Sequence, residues 1–262
     1  MDAKELYKAG KLAEAIAAMN EEVRKNPLDT NRRGFLAELL CIAGNFERAD
    51  KLLEALALQD PASGPSIAMF RQIVRADQSR HQLWTDGRVP EVLGEPTPAM
   101  RLCLSAVVAT REGRTADALA FVAQAEEARP KPHGTCDGKA FDDLRDLDDI
   151  TSGFFEVLTS TGKFFWIPIE RVELVEFRPP ARPRDLLWRR AHMIVRDGPD
   201  GEVFVPAVYG GIADADEAAR LGRTTDWRGG DTSPVRGVGQ RTLLVGSDAR
   251  PMLEIGTISI EA

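Results

Sequence analysis

The chain has 262 residues, a formal net charge of −7 at pH 7 and 29% charged residues. This length can form one large domain or two of ordinary size. The acidic balance argues against a nucleic-acid-binding module, because phosphate recognition requires a basic surface. The sequence contains no apolar run of about 18 residues and no signal-peptide core, so we expect no membrane interaction and a cytoplasmic location.

The first half of the chain contains a repeat. Its anchors are a glycine, an alanine and a proline, found as Gly10, Ala15 and Pro27, as Gly44, Ala49 and Pro61, and as Gly113, Ala118 and Pro130. The first two copies lie 34 residues apart, the period of tetratricopeptide helix–turn–helix repeats. Glycine permits the tight corner between two helices, alanine allows close helix approach, and proline ends the pair.

The repeat predicts pairs of helices that stack on one another. We expect helices over 2–9, 12–25, 30–43, 46–58, 66–83, 99–111 and 115–128. The stretch 62–97 lacks the anchor residues and should be a degenerate or enlarged unit. Because each pair leaves an apolar face uncovered, the pairs should form a small solenoid with a concave surface.

The composition changes after Pro130, where 129–138 resembles a linker and short apolar runs follow. These runs predict strands over 154–158, 163–169, 172–177, 191–196, 202–209, 241–245 and 253–260. Residues 159–162 and 197–201 should be hairpin loops, and 214–221 a helical turn or two. We therefore predict an α+β protein with tetratricopeptide-like helical repeats over 1–130 and a β-rich, antiparallel, barrel-like domain over 131–262.

An acidic cluster over 142–149 is the first candidate for chemistry. Its carboxylates could hold a hard cation, and Asp146, Asp148 and Asp149 with His192 would then form a metal-dependent enzyme or a small-ligand-binding module. The cluster lacks the glycine and the closing glutamate of a calcium loop. We favour a solvated segment whose carboxylates cap helices and pair with arginines.

A second polar feature is the arginine-rich segment 178–190 around Trp188. Such a segment can stack on bases or bind phosphate, but we expect it to pair with the acidic cluster inside the domain. Together, Asp146, Asp148, Asp149 and Trp188 are a candidate second surface for a protein contact.

The sequence offers little support for catalysis. No metalloprotease, nucleophile-elbow, phosphate-loop or dinucleotide motif is present, and the three histidines lie in no such pattern. The three cysteines have no metal-binding spacing and imply no disulfide framework. We therefore predict a non-enzymatic protein without catalytic residues, metal or cofactor.

Several motifs of the second half resemble the ImpE/TagJ accessory proteins of bacterial type VI secretion. They lie at 141–149, 156–158, 162–168, 183–188, 201–209, 220–227 and 237–241. The resemblance implies a non-enzymatic cytoplasmic adaptor that binds the N-terminal helix of the small contractile-sheath subunit. It also implies an indirect link to the sheath-disassembly ATPase, whose access the adaptor would either block or assist.

A concave repeat surface suits this role, because an amphipathic helix can lay its apolar face into it. Repeat spacing predicts a partner-binding set on the first helix of each pair: Tyr7, Asn31, Gly34, Glu38, Cys41, Met100, Cys103 and Val107. The apolar members could equally pack between repeats. Asn31 and Glu38 are the better contact candidates, since burying either without a partner would cost ~1 to 3 kcal/mol.

Overall fold

The computed structural model describes residues 1–211 and 214–261. In its first half the described helices are α1 (Ala3–Lys8), α2 (Leu12–Lys25), α3 (Thr30–Ile42), α4 (Phe46–Gln59), α5 (Gly64–Thr85), α6 (Pro98–Arg111) and α7 (Thr115–Ala128). A short α8 (Glu217–Arg220) lies in the second half. The predicted helices are confirmed. None of the described helices is long and apolar enough to cross a membrane.

The three repeat corners share one backbone geometry. Gly10, Gly44 and Gly113 have positive φ angles of 85°, 77° and 72°, a region that favours glycine. After each glycine, the next residue donates its backbone N–H to the carbonyl five residues earlier, at 2.8 to 3.0 Å. This bond is a Schellman-type helix ending. The anchor alanines Ala15, Ala49 and Ala118 are all fully buried, so the close helix approach is confirmed.

The unit without anchors is one long helix, α5, followed by an extended segment on the β-rich half. Glu91 donates its backbone N–H to the Phe164 carbonyl at 2.8 Å and accepts from the Trp166 N–H at 3.0 Å. This segment thereby covers part of a sheet edge. The stretch 62–97 lacks the repeat signature because the residues after α5 pair with the β-rich half instead of forming the second helix of a pair.

The second half is an antiparallel β structure. Its strands are β1 (Gly134–Cys136), β2 (Lys139–Phe141), β3 (Leu144–Asp146), β4 (Phe154–Leu158), β5 (Phe164–Pro168), β6 (Val172–Phe177), β7 (Trp188–Val195), β8 (Asp200–Pro206), β9 (Thr225–Gly230), β10 (Ser233–Gly239), β11 (Thr242–Val245), β12 (Asp248–Pro251) and β13 (Thr257–Ile260). Short 3-10 turns lie at Pro61–Ser63, Ile169–Arg171, Pro183–Leu186 and Met252–Glu254.

The largest sheet has eight strands in the order β2-β1-β13-β6-β7-β8-β4-β5, beside a three-stranded sheet β12-β11-β3 and a hairpin β9-β10. The α+β class is confirmed, although no ladder among the described residues joins β2 to β5 to close a barrel. Both predicted hairpins are confirmed, although Asp200 and Gly201 of the second predicted loop belong to β8. The linker prediction is wrong from Gly134 onward, because β1 pairs with β13 there.

One hydrophobic core runs through both halves. Phe154 and Trp166 stack with ring centroids 3.9 Å apart, and Trp188 meets Phe70 of α5 edge-on at 6.1 Å. A second core lies within the β-rich half. Strand β4 is buried at every residue. The boundary at residue 130 stays a prediction, since the helices and the sheet share buried side chains.

The second half also caps helices of the first. Lys11, the residue before α2, makes no capping bond with its side chain. The Glu217 carboxylate instead accepts from the backbone N–H groups of Leu12 at 3.1 Å and Ala13 at 2.7 Å. Arg223 donates to the last carbonyls of α1 at 2.8 and 2.9 Å. Helix ends carry unpaired backbone groups and partial charges that such side chains satisfy.

We expect Glu217→Ala to lower the free energy of unfolding by about 1 kcal/mol, the usual effect of losing an N-terminal cap. Urea denaturation of the full chain measures the change. Glu127→Ala is the matched control, because Glu127 is an exposed helical glutamate on α7. Equal stability changes in the two variants would contradict a capping role for Glu217.

Candidate functional site

A groove of about 590 Å³ opens on the inner side of the repeats. Helices α1, α3, α4 and α5 form its floor and one wall, with Tyr7, Gly34, Leu53 and Phe70 among the lining residues. Segment 182–184 of the β-rich half forms the opposite wall. We call this feature the groove. The concave surface of the repeats is therefore partly covered by the chain's own second half and partly open.

Four of the eight predicted partner-binding residues line the groove, namely Tyr7, Asn31, Gly34 and Glu38. The last three follow one another at helical spacing and so share a face of α3. A Cβ atom at Gly34 would meet no atom within 4 Å. Gly34 therefore borders open space, and a guest segment could approach the helix backbone there.

The other four predicted residues are Cys41, Met100, Cys103 and Val107, which lie in the shared core and not in the groove. Each is at most 2% exposed. They pack between helices in this structure, and partner contact by them stays a prediction. All three cysteines are free thiols. Burial raises the pKa of the Cys103 thiol to about 12, which leaves it unreactive at neutral pH.

Glu38 is the buried acid of the groove, with 8% of the residue exposed. Among the described residues, the nearest cationic atom is Nε of Arg184, at 3.7 Å from the carboxylate. This separation is too long for a hydrogen bond. Burial raises the pKa of Glu38 to about 7, and the opposing attraction of Arg184 and Arg182 does not offset it.

The raised pKa of Glu38 makes stability depend on pH. Its folded-state value of about 7 exceeds the ordinary 4.5, so the stabilisation present below pH 4.5 is lost as the pH rises through 7. Glutamine does not titrate, so the free energy of unfolding of Glu38→Gln should rise relative to that of the natural protein as the pH increases. We expect this difference to grow by about 2 to 3 kcal/mol from pH 5 to pH 8. Urea denaturation across that range measures the gain. Identical pH profiles for the two proteins would contradict it.

Two carboxylates of the acidic cluster are buried rather than solvated, so the prediction of a solvated segment is wrong for them, whereas Asp142 is exposed. Asp146 is 1% exposed and Asp148 is fully buried. Asp146 accepts a hydrogen bond from the Tyr209 hydroxyl at 2.8 Å and lies 3.3 Å from Arg241. Asp148 accepts from Nε of Arg236 at 2.8 Å. The predicted pairing with arginine is confirmed.

These ion pairs concern two further predictions: the alternative function as a metal-dependent enzyme or small-ligand-binding module, and the candidate second surface. The described residues contain no group of three or more histidine, cysteine or acidic side chains arranged to hold a metal. His192 lies beside Asp200, at 3.0 Å. Trp188 is 2% exposed, and Asp149 accepts from the Val235 N–H at 2.7 Å. A second surface built from Asp146, Asp148, Asp149 and Trp188 stays a prediction and would require the interior to open.

The arginine-rich segment does not pair with the acidic cluster, contrary to the prediction. Arg178 pairs with Glu176 at 3.2 Å, and Arg190 pairs with Glu202 at 2.5 Å. Arg189 donates to backbone carbonyls instead. The Arg184 guanidinium lies 4.4 Å from the centre of the Phe70 ring. The segment therefore helps to attach the β-rich half to the helices and forms the wall of the groove.

Sequence reasoning missed a buried network that joins the two halves. Glu156 on β4 accepts from Nε of Arg80 on α5 at 2.8 Å and from Arg241. All three side chains are at most 2% exposed. Burial alone would raise the pKa of Glu156, but Arg80 and Arg241 lower it. The one available signal was a glutamate in the middle of the apolar strand 154–158.

The comparisons with known proteins cover the whole chain. Residues 138–259 match the family model described as ImpE protein, and 6–73 match a tetratricopeptide repeat model. The chain is 28% identical to the type VI secretion system accessory component TagJ of Pseudomonas aeruginosa PAO1, over 100% of this chain and 92% of that protein. The crystal structure of protein VPA1032 from Vibrio parahaemolyticus has a TM-score of 0.93 and 27% identity, covering 99% of this chain and 97% of that one.

Proposed function

We propose, from the ImpE family match over 138–259 and the 28% identity to TagJ, that this chain is an ImpE-family protein and a non-enzymatic adaptor of type VI secretion. In this proposal the helical repeats hold the N-terminal helix of the small contractile-sheath subunit. The protein acts in the cytoplasm and controls whether the sheath-disassembly ATPase can reach that subunit.

The observation that supports the proposal is the open groove. Its volume of about 590 Å³ can accommodate several side chains from one face of a helix. The lining offers aromatic contacts from the partly exposed Tyr7 and Phe35, with the buried Leu53, Ile67 and Phe70 behind them. Gly34 leaves space for the guest beside α3. Amphipathic helices bind such grooves through apolar anchors one helical turn apart.

The fold also holds the groove in a fixed shape. Arg184 packs on Phe70, Glu217 caps α2, and the network around Glu156 joins α5 to β4. A preorganised site loses less conformational entropy when it binds. The groove consequently requires both halves of the chain, because its wall at 182–184 comes from the second half.

Fluorescence anisotropy with a labelled peptide tests the proposal directly. The peptide carries the first helix of the small sheath subunit from the same bacterium, and the full-length chain is titrated into it. We expect saturable binding, with no binding of a scrambled peptide of the same composition. Equal binding of the two peptides, or no binding of either, would refute the proposal.

A further inference from the structure

The groove is lined by one carboxylate, that of Glu38, for which the described part of the chain supplies no hydrogen-bond donor. Glu38 is buried, and no donor from the described residues lies within hydrogen-bond distance of it. A carboxylate without a protein donor depends on water for its hydrogen bonds, and the Glu38 side chain, which is 10% exposed, reaches water through the groove. A guest segment that displaces this water has to supply a replacement donor. This acid faces the groove, so a guest segment can reach it.

Among the described residues, the neighbours of Glu38 do not donate a hydrogen bond to its carboxylate. Five charged or titratable groups interact electrostatically with Glu38. They are Arg182, Arg184 and Asp185 from the wall, Tyr7 from α1 and Cys41 from α3. Arg184 lies over the Phe70 ring. Asp185 accepts from the backbone N–H groups of Ala181 and Arg182 at 2.9 and 2.8 Å. Within residues 1–211 and 214–261, Glu38 is thus left as an acceptor without a donor.

We propose that the guest helix carries one hydrogen-bond-donating side chain among its apolar anchors, that this side chain donates to the Glu38 carboxylate, and that binding therefore releases a proton. The inference rests on the proposed function, since it assumes that a helix occupies the groove. The donor is an amide or a cationic side chain of the partner protein. The proton leaves the Glu38 carboxyl for solvent, and the ionised carboxylate then accepts the donor's N–H.

The pKa values of the neighbouring groups allow the expected proton release on binding to be assigned to Glu38. The pKa of Tyr7 is raised by burial above 10, and the pKa of Cys41 is raised well above 9, so neither ionises near neutral pH. The pKa of Glu38 is about 7 in the free protein. A donor bound to the carboxylate lowers that pKa. By linkage, the association constant should rise about tenfold between pH 6 and pH 8.

Isothermal titration calorimetry of the full chain with the sheath-helix peptide tests this inference. Titrations at pH 6 and pH 8, each in two buffers of different ionisation heat, give the affinity ratio and the number of protons released. We expect the natural protein to show the tenfold rise with proton release at pH 6. Glu38→Gln should bind with nearly equal affinity at both pH values. Glu14→Gln, on the exposed face of α2, should behave like the natural protein.

The outcomes separate the inference from the function. Binding with the same pH dependence in the natural protein and Glu38→Gln would overturn the Glu38 contact while leaving the groove model intact. Absence of binding at both pH values would refute the proposed function itself. Replacing each polar residue on the apolar face of the peptide by alanine should identify a single donor whose loss also abolishes the pH dependence.

Discussion

Replacing Glu156 by glutamine should lower the free energy of unfolding by about 3 to 5 kcal/mol, the usual range when one partner of a buried ion pair is removed. Glu156 separates the guanidinium groups of Arg80 and Arg241, and all three side chains are at most 2% exposed. The amide keeps the shape of the side chain but supplies no negative charge. Arg80 would keep Asp77 and Arg241 would keep Asp146, each at 3.3 Å, but both guanidinium groups would lose the one carboxylate that joins them.

The chain contains a matched control for this experiment. Glu202 also contacts two arginines, Arg178 at 3.6 Å and Arg190 at 2.5 Å, but its side chain is 37% exposed. Glu202→Gln should change the free energy of unfolding by less than about 1 kcal/mol, as is usual for surface ion pairs. Urea denaturation of both variants at pH 7 gives the comparison. Similar losses in the two variants would show that the buried position of Glu156 has no special effect.

The same network shows why part of the fold could not be predicted. The repeat was predictable because glycine, alanine and proline act locally, at the corner and within one helix pair. By contrast, the partners of Asp146 and Glu156 include Arg241, which lies far along the chain. Nothing in the composition of 142–149 distinguishes a buried, paired acid from a solvated one. The pairing of β3 with β11 brings Asp146 close to Arg241, and the packing of the eight-stranded sheet against it adds Glu156.

The missed strands have a similar cause. Strands β9 and β10 contain several glycines and little alternation of apolar and polar residues, which are the features that identify a strand. Their position depends on Asp149, whose backbone N–H donates to the Val235 carbonyl at 2.9 Å. Strands β1 to β3 have only three residues each. Such short segments carry too little pattern to be recognised.

The groove was partly predictable. Helical spacing placed Asn31, Gly34 and Glu38 on one face of α3, and all three line the groove. The wall at 182–184 was not predictable, because it depends on how the sheet packs against α5. The same packing buries Cys41, which lies on the predicted face but beyond the groove. Sequence spacing identifies a helix face, whereas the rest of the fold determines how much of that face stays open.

The second large effect is expected from Gly34→Trp, which should fill the groove without disturbing the fold. A Cβ atom at this position meets nothing within 4 Å, so the indole can extend into open space in the free protein. Replacing glycine inside a helix also removes a destabilisation of about 0.5 to 1 kcal/mol. We therefore expect unchanged or higher stability together with a loss of sheath-helix affinity of about a hundredfold or more, or ~2.8 kcal/mol.

Two variants make this result specific to the groove. Gly34→Ala gives the gain in helix propensity with little added volume, so it should be more stable and still bind the peptide. Ala17→Trp adds the same indole to α2 at an exposed position and should leave binding unchanged. Fluorescence anisotropy and urea denaturation of the three variants measure affinity and stability separately. If Gly34→Trp binds the peptide as well as the natural protein does, the guest helix does not lie against α3, because the indole and the guest cannot occupy the same space.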